Sequence, residues 1–382
     1  MSYSPHRKIT ALRFHGRKDL RLDNVAPQPC GPNDVRLKVA YCGICGSDIH
    51  EYAAGPIFAP NPGSKHPWTG VELPVTMGHE MSGVVEEVGA AVHDIHVGQH
   101  VAVNPAFDDR HHGVETCSTC LTGKVNICER FASNGFSAPG GGFADEIVVP
   151  AISCLPLPDN VSLKSGALLE PLAVAWHAIR LSGFQPGQNA LVLGAGPIGL
   201  AILILLRVWG AGTVAVSEVS LQRKLRAQQF GADLVIDPTS SVHHNDKTSS
   251  NNDPVVLQVR RIAPSGVDVA FEATGIQSAL NAAVASVRAG GTIFNVAIHE
   301  RPVQLSFNQI FCFEKRMLGG MCYTKEDFDG VLEAIEQGKI SPEDMVTSVI
   351  SLDEVIGQGF HELMDNKDAH VKILVSPGKV DN

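Results

Sequence analysis

The sequence lacks an excess of basic charge. Lys and Arg number 30 against 40 Asp and Glu, which gives a formal net charge of -10 over 382 residues. Nucleic acids and anionic membrane surfaces attract basic proteins, so this balance argues against both as partners. A small neutral molecule is the kind of ligand that the composition favours.

Long apolar runs are also missing. The first residues, MSYSPHRKITALRFHG, contain no apolar core of signal-peptide length, and no uninterrupted apolar stretch is long enough to span a bilayer. We therefore predict a cytoplasmic protein. The nine cysteines are odd in number and mostly scattered. Their two clusters indicate a metal site or catalysis before a disulfide framework.

The length and the residue patterns predict two domains, because 382 residues exceed one ordinary core. Residues 8 to 41 alternate apolar and polar between turn residues, which is typical of short half-buried strands. From Gln188 onward, Val- and Ile-rich strands alternate with helical stretches. This rhythm predicts an α/β domain of the Rossmann type, with a doubly wound parallel sheet. The polar run SSVHHNDKTSSNND is predicted to form a solvated loop within it.

Candidate metal ligands cluster around the stretch CGICGSDIH, residues 42 to 50. Cys45 lies in it, His79 and Glu80 follow in MGHEM, and Glu170 lies in LLEPLAV. A thiolate, an imidazole and a carboxylate are ligand types of zinc, and three protein ligands leave a position for water or substrate. Taken singly, each residue is more often an ordinary core or surface residue than a metal ligand. The zinc hypothesis therefore depends on their spacing.

The spacing after Gly78 supplies that support. The chain reads GHEMSGVVEEVGAAV, with Gly83, Gly89 and Val92 at fixed distances behind His79 and Glu80. This resembles the signature of zinc-containing alcohol dehydrogenases of the medium-chain dehydrogenase/reductase superfamily. The resemblance implies a β-rich, GroES-like catalytic domain beside the Rossmann domain, and a catalytic zinc.

Within that resemblance, Cys45 and His79 fall on the positions of the first two zinc ligands. Glu170 stands where enzymes with two catalytic cysteines carry their third ligand, a substitution similar to the polyol branch of the family. Whether Glu80 or Glu170 touches zinc directly, with the other holding its water, stays open at this point.

The resemblance also implies roles for neighbouring residues. The hydroxyl of Ser47 would bond the zinc-bound alcohol, and His50 would end a proton relay to solvent. Asp48 would orient the metal ligands. The Pro- and Gly-rich residues 55 to 74 are predicted to form a loop near the mouth of the site, where Glu51, Tyr52 and Phe58 could shape a substrate pocket.

A second cysteine cluster occurs in HHGVETCSTCLTGKVNIC, with Cys117, Cys120 and Cys128. The resemblance implies a structural zinc lobe with four cysteines, but Val114 occupies the fourth position. A closed tetrahedral site needs four ligands. Two alternatives follow: a residue nearby completes the site, or the lobe is metal-free. The candidates for completing it are His111, His112 and Glu115.

The coenzyme half opens with a glycine-rich turn in LVLGAGPIGL. Gly194, Gly196 and Gly199 have G-x-G-x-x-G spacing between a strand and a helix, and Pro197 and Ile198 lie in the same turn. Glycines let the backbone approach a pyrophosphate, and the helix N-terminus favours its negative charge. The turn therefore predicts a dinucleotide site.

The choice of dinucleotide follows from Glu218, which ends the next strand. A carboxylate there accepts hydrogen bonds from the adenosine ribose and repels a 2′-phosphate, so NAD is favoured over NADP. Arg223 on the following helix could soften that preference. Thr274, in VDVAFEATG, is a further candidate for the coenzyme site.

The resemblance covers almost the whole chain and implies reversible NAD-linked oxidation of a small vicinal diol to a hydroxyketone. It also implies a discontinuous catalytic domain, 1–170 and 316–382, around a Rossmann NAD-binding domain at 171–315. A homo-oligomer, either dimer or tetramer, is expected on the same basis. Two alternatives stay open: a sorbitol or other polyol dehydrogenase, and a catalytically silent NAD-binding protein of the same fold.

Overall fold

The computed structural model of the chain describes residues 7–240 and 253–378. By its internal packing the chain divides into two compact units. The β-rich unit comprises Met1–Glu170 and Ile335–Asn382, and the parallel-sheet unit comprises Pro171–Ala334. The predicted solvated loop lies almost wholly outside the described residues. Among the helices that are described, none combines the length and the apolar character needed to cross a bilayer.

The β-rich unit is built mainly from short strands. Its elements are β1 (Ile9–Gly16), β2 (Asp19–Val25), β3 (Asp34–Gly43), α1 (Gly46–Ala54), β4 (Val75–Thr76), β5 (Glu80–Val88), β6 (His100–Val103), β7 (Ala106–Phe107), α2 (Asp109–His112), α3 (Ser118–Leu121), β8 (Ala132–Ser133), β9 (Glu146–Pro150), β10 (Cys154–Pro156) and α4 (Leu163–Ala167). Helix α5 (Leu169–Ser182) follows at its boundary. This content agrees with the alternation seen in the sequence.

The parallel-sheet unit alternates strands and helices. Its elements are β11 (Ala190–Leu193), α6 (Pro197–Val208), β12 (Val214–Ser217), α7 (Leu221–Gln229), β13 (Leu234–Ile236), α8 (Pro254–Ile262), β14 (Val267–Glu272), α9 (Gln277–Ser286), β15 (Val287–Asn295), α10 (Phe307–Phe311), β16 (Arg316–Gly319) and α11 (Lys325–Glu336). The chain then returns to the β-rich unit with β17 (Val346–Ser351), α12 (Glu362–Asp365) and β18 (Lys372–Ser376).

The larger sheet of the β-rich unit runs in the order β10-β6-β5-β3-β18-β17, and β9 also pairs with β3. A three-stranded sheet, β2-β1-β4, and a β7-β8 pair complete the unit. Strand β18 pairs antiparallel with the end of β3, with Leu374 opposite Gly43 and Val375 opposite Cys42. This pairing brings the last described strand beside the residues that lead into α1.

The six strands of the other unit form one parallel sheet in the order β13-β12-β11-β14-β15-β16. The order reverses between β11 and β14, which is the doubly wound topology. Strand β11 is buried throughout and α6 is apolar along most of its length, as a sheet with covered faces requires. The predicted α/β Rossmann-type fold is confirmed.

The compact parallel-sheet unit extends past residue 315, where the predicted NAD-binding domain ends. Strand β16 is hydrogen-bonded to β15 within the parallel sheet, and the compact unit continues to Ala334. Residues 316 to 334 therefore pack with the parallel sheet. The sequence predicted a catalytic domain made of 1–170 and 316–382 and an NAD-binding domain made of 171–315. These two domain roles stay a prediction.

Candidate metal centre and coenzyme site

Cys45 occupies the N-cap position of α1, two residues after β3 ends. Asp48, in the first turn of that helix, accepts a hydrogen bond from the backbone N–H of Cys45 at 3.0 Å through Oδ2. A carboxylate at this place satisfies one of the N–H groups that a helix start leaves without an intrahelical partner. The fold therefore fixes the backbone of Cys45 through a residue of its own motif.

His79 and Glu80 follow Gly78, a position where any other residue would be strained. Gly78 has φ +93°, and a Cβ there would lie 2.8 Å from Cys42 Sγ and equally close to Phe143. This close packing of the backbone places His79 directly before β5, whose first residue is Glu80. The glycine of the GHE motif is thus explained by close packing against β3.

The structure brings three of the predicted ligands together. One ligand atom each from Cys45, His79 and Glu80 lies within 4.8 Å of the others, and both His79 and Glu80 are buried. Glu170 does not join this group; it is buried in the first turn of α5. His50 is half-buried in the middle of α1.

The two ring nitrogens of His79 face different partners. Nε2 lies 3.3 Å from Ser47 Oγ, and Nδ1 lies 3.4 Å from Asp48 Oδ1, a distance too long for a well-formed hydrogen bond. Burial would lower the pKa of His79, but the Asp48 carboxylate and the Cys45 side chain raise this pKa well above its ordinary value. Metal-binding histidines commonly direct the second ring nitrogen at a carboxylate, and Asp48 is placed for that role.

Glu80 forms a buried ion pair that the sequence did not reveal. Lys372 Nζ, on β18, lies 2.7 Å from each carboxylate oxygen of Glu80 and donates to the carbonyl of Ile44 at 3.2 Å. Burial would lower the pKa of Lys372, but the Glu80 carboxylate raises it above the ordinary value. The one available signal was a lysine within the otherwise apolar strand VKILV.

These residues fit a catalytic zinc ion. They offer a thiolate, an imidazole and a carboxylate, which are the three donor types zinc takes in proteins. The buried atoms His79 Nδ1 and Asp48 Oδ1 have no hydrogen bond of ordinary geometry. Binding of a metal at the other ring nitrogen would favour the Nδ1–H tautomer and so give Asp48 a donor.

The second cysteine cluster has a fourth member that sequence reasoning missed. Ligand atoms of Asp109, Cys117, Cys120 and Cys128 all lie within 4.8 Å of one another. Asp109 Oδ1 is 3.2 Å from Cys128 Sγ, and Oδ2 accepts the backbone N–H of Cys117 at 2.7 Å. That N–H, together with Arg130, holds the pKa of Asp109 well below its usual range. Three sulfurs and one carboxylate complete a tetrahedral donor set.

The three alternative candidates for the fourth ligand of this cluster lie outside the group of ligand atoms. His111 Nδ1 accepts the backbone N–H of Asp108 at 3.0 Å, and its Nε2 lies 3.2 Å from Ser153 Oγ. His112 Nε2 donates to the carbonyl of Arg130 at 2.8 Å. The side chain of Glu115 is exposed. Among the described residues, the carboxylate that lies with the three cysteines is Asp109, because the start of α2 is close to them in space. Metal binding by this lobe stays a prediction.

The glycine-rich turn of the parallel-sheet unit has the geometry expected of a pyrophosphate site. Gly194 has φ +95°, and a Cβ on Gly199 would lie 1.9 Å from the carbonyl oxygen of Gly194. Gly196 is the N-cap of α6, and a Cβ there would have only Arg223 Nη1, at 3.7 Å, in contact range. The backbone at the helix start is thus open to a ligand, while Pro197 and Ile198 form the half-buried first turn.

Glu218 lies beside this turn, as predicted for a ribose-binding carboxylate. Oε2 accepts the backbone N–H of Ala195 at 2.8 Å, and Oε1 accepts those of Val219 and Ser220. These bonds fix the carboxylate and leave part of its acceptor capacity for hydroxyl donors.

Thr274 follows β14 at the same edge of the sheet. The methyl of Thr274 would lie 2.8 Å from a Cβ on Gly194, and its backbone N–H donates to Glu272 at 2.8 Å. The candidate coenzyme residues therefore converge at the carboxyl ends of β11, β12 and β14, which is where doubly wound sheets bind nucleotides.

Comparison with known proteins identifies the family of both parts of the chain. Residues 31–159 match the family described as "Alcohol dehydrogenase GroES-like domain", and residues 197–337 match "Zinc-binding dehydrogenase". The chain is 36% identical over 384 residues to (R,R)-butanediol dehydrogenase of Saccharomyces cerevisiae, covering 97% of this chain and 98% of that protein. It is 38% identical over 369 residues to (R,R)-butanediol dehydrogenase of Bacillus subtilis, covering 97% and 100%.

Solved structures give the same result. The crystal structure of 2R,3R-butanediol dehydrogenase from Bacillus subtilis matches with a TM-score of 0.87 at 36% identity, and the match covers 97% of this chain and 100% of that chain. A match that covers 97% of this chain spans most of both units. The chain therefore belongs to the zinc-binding alcohol dehydrogenase family and is an oxidoreductase with a GroES-like domain and a Rossmann-type dehydrogenase domain.

Proposed function

We propose that this protein oxidises 2,3-butanediol to acetoin with NAD, and that it reduces acetoin and diacetyl in the reverse direction. The observation that carries the proposal is the grouping of Cys45, His79 and Glu80 around one possible ion position, with the Ser47 hydroxyl beside His79. The identity of 36 to 38% with (R,R)-butanediol dehydrogenases supports the choice of substrate.

In this proposal Cys45, His79 and Glu80 hold zinc. A bound zinc ion would lower the pKa of the substrate hydroxyl and stabilise the developing alkoxide charge. Glu80 is the carboxylate within ligand distance of the other two groups, and each of its oxygens keeps a lone pair beyond the bond to Lys372. Glu170 is then the carboxylate that would hold a water beside the site.

Ser47 and His50 are assigned to proton transfer. The Ser47 hydroxyl lies next to Nε2 of His79, so it can accept the proton of an alcohol bound there. His50 follows three residues later on the same helix and can take the proton onward. A buried reaction site needs such a route, because bulk water cannot reach it to remove the proton.

The parallel-sheet unit is assigned to the coenzyme. NAD, when bound, accepts the hydride from the carbinol carbon. The backbone at Gly194, Gly196 and Gly199 would receive the pyrophosphate, and the Glu218 carboxylate would accept hydrogen bonds from the ribose hydroxyls. Glu218 would also repel the extra phosphate of NADP, and this charge is the basis for preferring NAD.

The cysteine cluster is proposed as a structural zinc site held by Asp109, Cys117, Cys120 and Cys128. Four protein ligands leave no open coordination position, so such an ion would stabilise the lobe without taking part in catalysis. Arg130 donates to Asp109 Oδ1 at 2.7 Å and would balance part of the negative charge of the donor set.

A homo-oligomer is proposed from the exposed edge of the parallel sheet. All four residues of β16 are exposed, and Phe307 and Phe311 on the neighbouring α10 are 71% and 80% exposed. An edge strand with apolar neighbours can pair with the same strand of a second copy. Light scattering on the variants Leu318→Lys and Phe311→Glu tests this proposal, since both should yield monomers; an unchanged oligomer would refute it.

The cytoplasmic location of the protein stays a prediction.

The proposed activity is tested by the rate of NADH formation with each stereoisomer of 2,3-butanediol and with sorbitol, before and after chelation. The proposal expects zinc-dependent oxidation of a butanediol isomer that exceeds oxidation of sorbitol. Preference for sorbitol would favour the polyol dehydrogenase alternative. NADH binding without turnover of any diol in a zinc-loaded protein would favour the catalytically silent alternative.

A further inference from the structure

Glu51 is a buried carboxylate whose partners are backbone amides. It is fully buried on α1, one residue after His50. Its oxygens accept hydrogen bonds from three successive N–H groups, those of Ile57 at 3.0 and 3.1 Å, Phe58 at 2.8 Å and Ala59 at 3.3 Å. A buried charge is costly unless it is hydrogen-bonded, so this arrangement ties the loop tightly to the helix.

The loop that Glu51 holds carries an aromatic side chain toward the proposed zinc site. The ring of Phe58 lies 5.2 Å from that of Phe136, centroid to centroid, and the ring of Phe136 lies 4.9 Å from that of His79. Phe136 is buried in the core of the β-rich unit, and Phe58 packs against that core. The two rings thus form an apolar wall that reaches a proposed zinc ligand.

We propose that Glu51 is a positioning residue that sets the substrate range of this enzyme. By fixing residues 57 to 59, it holds Phe58 against Phe136, whose ring lies beside His79. The wall accepts the methyl end of a short diol and offers no hydrogen-bond partner to the further hydroxyls of a sugar alcohol. It also limits the length of alkyl chain that fits. This inference rests on the proposed diol dehydrogenase function and extends it to the choice between diols and polyols.

The aromatic wall would reject an extra hydroxyl and an extra methylene for different physical reasons. A hydroxyl pressed against aromatic rings loses its water without gaining a partner, so a polyol is rejected. An extra methylene is rejected only by shape, which requires the rings to be held firmly. Replacing Glu51 with Gln leaves one acceptor oxygen and turns an NH2 group toward N–H donors, which should loosen the loop at nearly constant side-chain volume.

The test compares wild type, Glu51→Gln and Glu354→Gln. Glu354 accepts the backbone N–H of Ser351 at 2.9 Å, so the control makes the same chemical change at another backbone cap of the β-rich unit. The values of kcat and KM are measured separately for 2,3-butanediol, 3,4-hexanediol and sorbitol, per zinc-loaded site. The ratio of kcat/KM for butanediol to that for hexanediol is the decisive quantity.

For Glu51→Gln we expect this ratio to fall about tenfold, with the KM for butanediol raised and kcat changed by less than about threefold. Glu354→Gln should leave the ratio within about twofold of wild type. A purely structural role for Glu51 would lower activity on all substrates together, through a smaller active fraction, and would leave the ratio unchanged. That outcome would overturn the inference.

Phe58→Ala provides a second route if Glu51→Gln does not fold. It removes the ring that the loop positions, and the ratio should fall in the same direction. An unchanged ratio in this variant would also overturn the inference, while the proposed function would stand. Absence of zinc-dependent diol oxidation in wild type would refute the proposed function itself, and this inference with it.

Discussion

Lys372 Nζ lies 2.7 Å from both carboxylate oxygens of Glu80, and both side chains are almost fully buried. The pair joins the start of β5 to β18, which are 292 residues apart in sequence. Glu80 is also within ligand distance of Cys45 and His79. The lysine therefore fixes the orientation of a carboxylate that we assign to the metal site.

Replacing Lys372 with Met should destabilise the protein strongly. The variant leaves the Glu80 carboxylate buried without its cation, and loss of one partner of a buried pair costs about 3 to 5 kcal/mol. The measurement is urea unfolding of the metal-stripped protein. The double variant Lys372→Met with Glu80→Leu should recover most of the loss, because it removes the unpaired charge. Wild-type stability in Lys372→Met alone would contradict this prediction.

The two candidate carboxylates can be separated by metal content. Glu80→Gln should lower zinc affinity at the catalytic site by a factor of about 100, because it removes an anionic ligand. Glu170→Gln should lower zinc affinity by about tenfold or less, since Glu170 lies outside the ligand group, yet it should reduce kcat. Competition with a chelator measures the affinities. A greater loss of zinc in Glu170→Gln than in Glu80→Gln would reverse the assignment.

The Asp109 cluster makes a prediction about metal stoichiometry. Wild type should contain two zinc ions per chain, and Asp109→Ala should contain one, because three sulfurs alone leave the structural site incomplete. Asp109→Cys should retain two ions by restoring a fourth ligand.

Glu115→Ala is the matched control for this measurement, because the side chain of Glu115 is exposed. It should retain two ions by elemental analysis. Two zinc ions in Asp109→Ala, or loss of an ion in Glu115→Ala, would show that the fourth ligand is not Asp109.

The metal site illustrates what the sequence could predict. Cys45, His79 and Glu80 were recognisable because the constraints on them are local: a helix start after a strand, and a glycine with positive φ before the histidine. The same holds for the coenzyme turn, where Gly194 and Gly199 must pack against each other. Such features depend on a few consecutive residues and leave a pattern in the sequence.

Lys372 and Asp109 were missed for the opposite reason. Lys372 reaches Glu80 only because β18 pairs with β3, and no local pattern specifies that pairing. Asp109 lies eight residues before Cys117 and reaches the cysteines because its carboxylate accepts the Cys117 backbone N–H.

The coenzyme preference should depend on the charge of Glu218. Glu218→Gln removes the negative charge that would repel a 2′-phosphate but keeps an acceptor for the backbone N–H of Ala195. We expect the ratio of kcat/KM for NAD to that for NADP to fall about tenfold, which corresponds to about 1.4 kcal/mol. Steady-state kinetics with both coenzymes measures it. An unchanged ratio would count against the assignment, provided that NAD turnover is preserved.

Acid stability should depend on Asp327 in the parallel-sheet unit. Its carboxylate is buried, contacts His177 Nδ1 at 2.7 Å and accepts from Arg180 Nε at 2.8 Å. Burial would raise the pKa of Asp327, but these partners hold it well below the ordinary value of 3.8. Because the folded-state pKa is depressed, the contribution to stability is present above the unfolded pKa and is lost as pH falls below about 4.

Asp327→Asn should therefore be less stable than wild type near neutral pH, and the difference should shrink as the pH falls from about 6 to about 3. Asp329→Asn is the control, since Asp329 forms an exposed pair with Lys325 on the same helix and exposed pairs contribute little. Urea midpoints across this pH range measure the effect. If the difference between wild type and Asp327→Asn stays constant with pH, the depressed pKa of Asp327 does not contribute to acid stability.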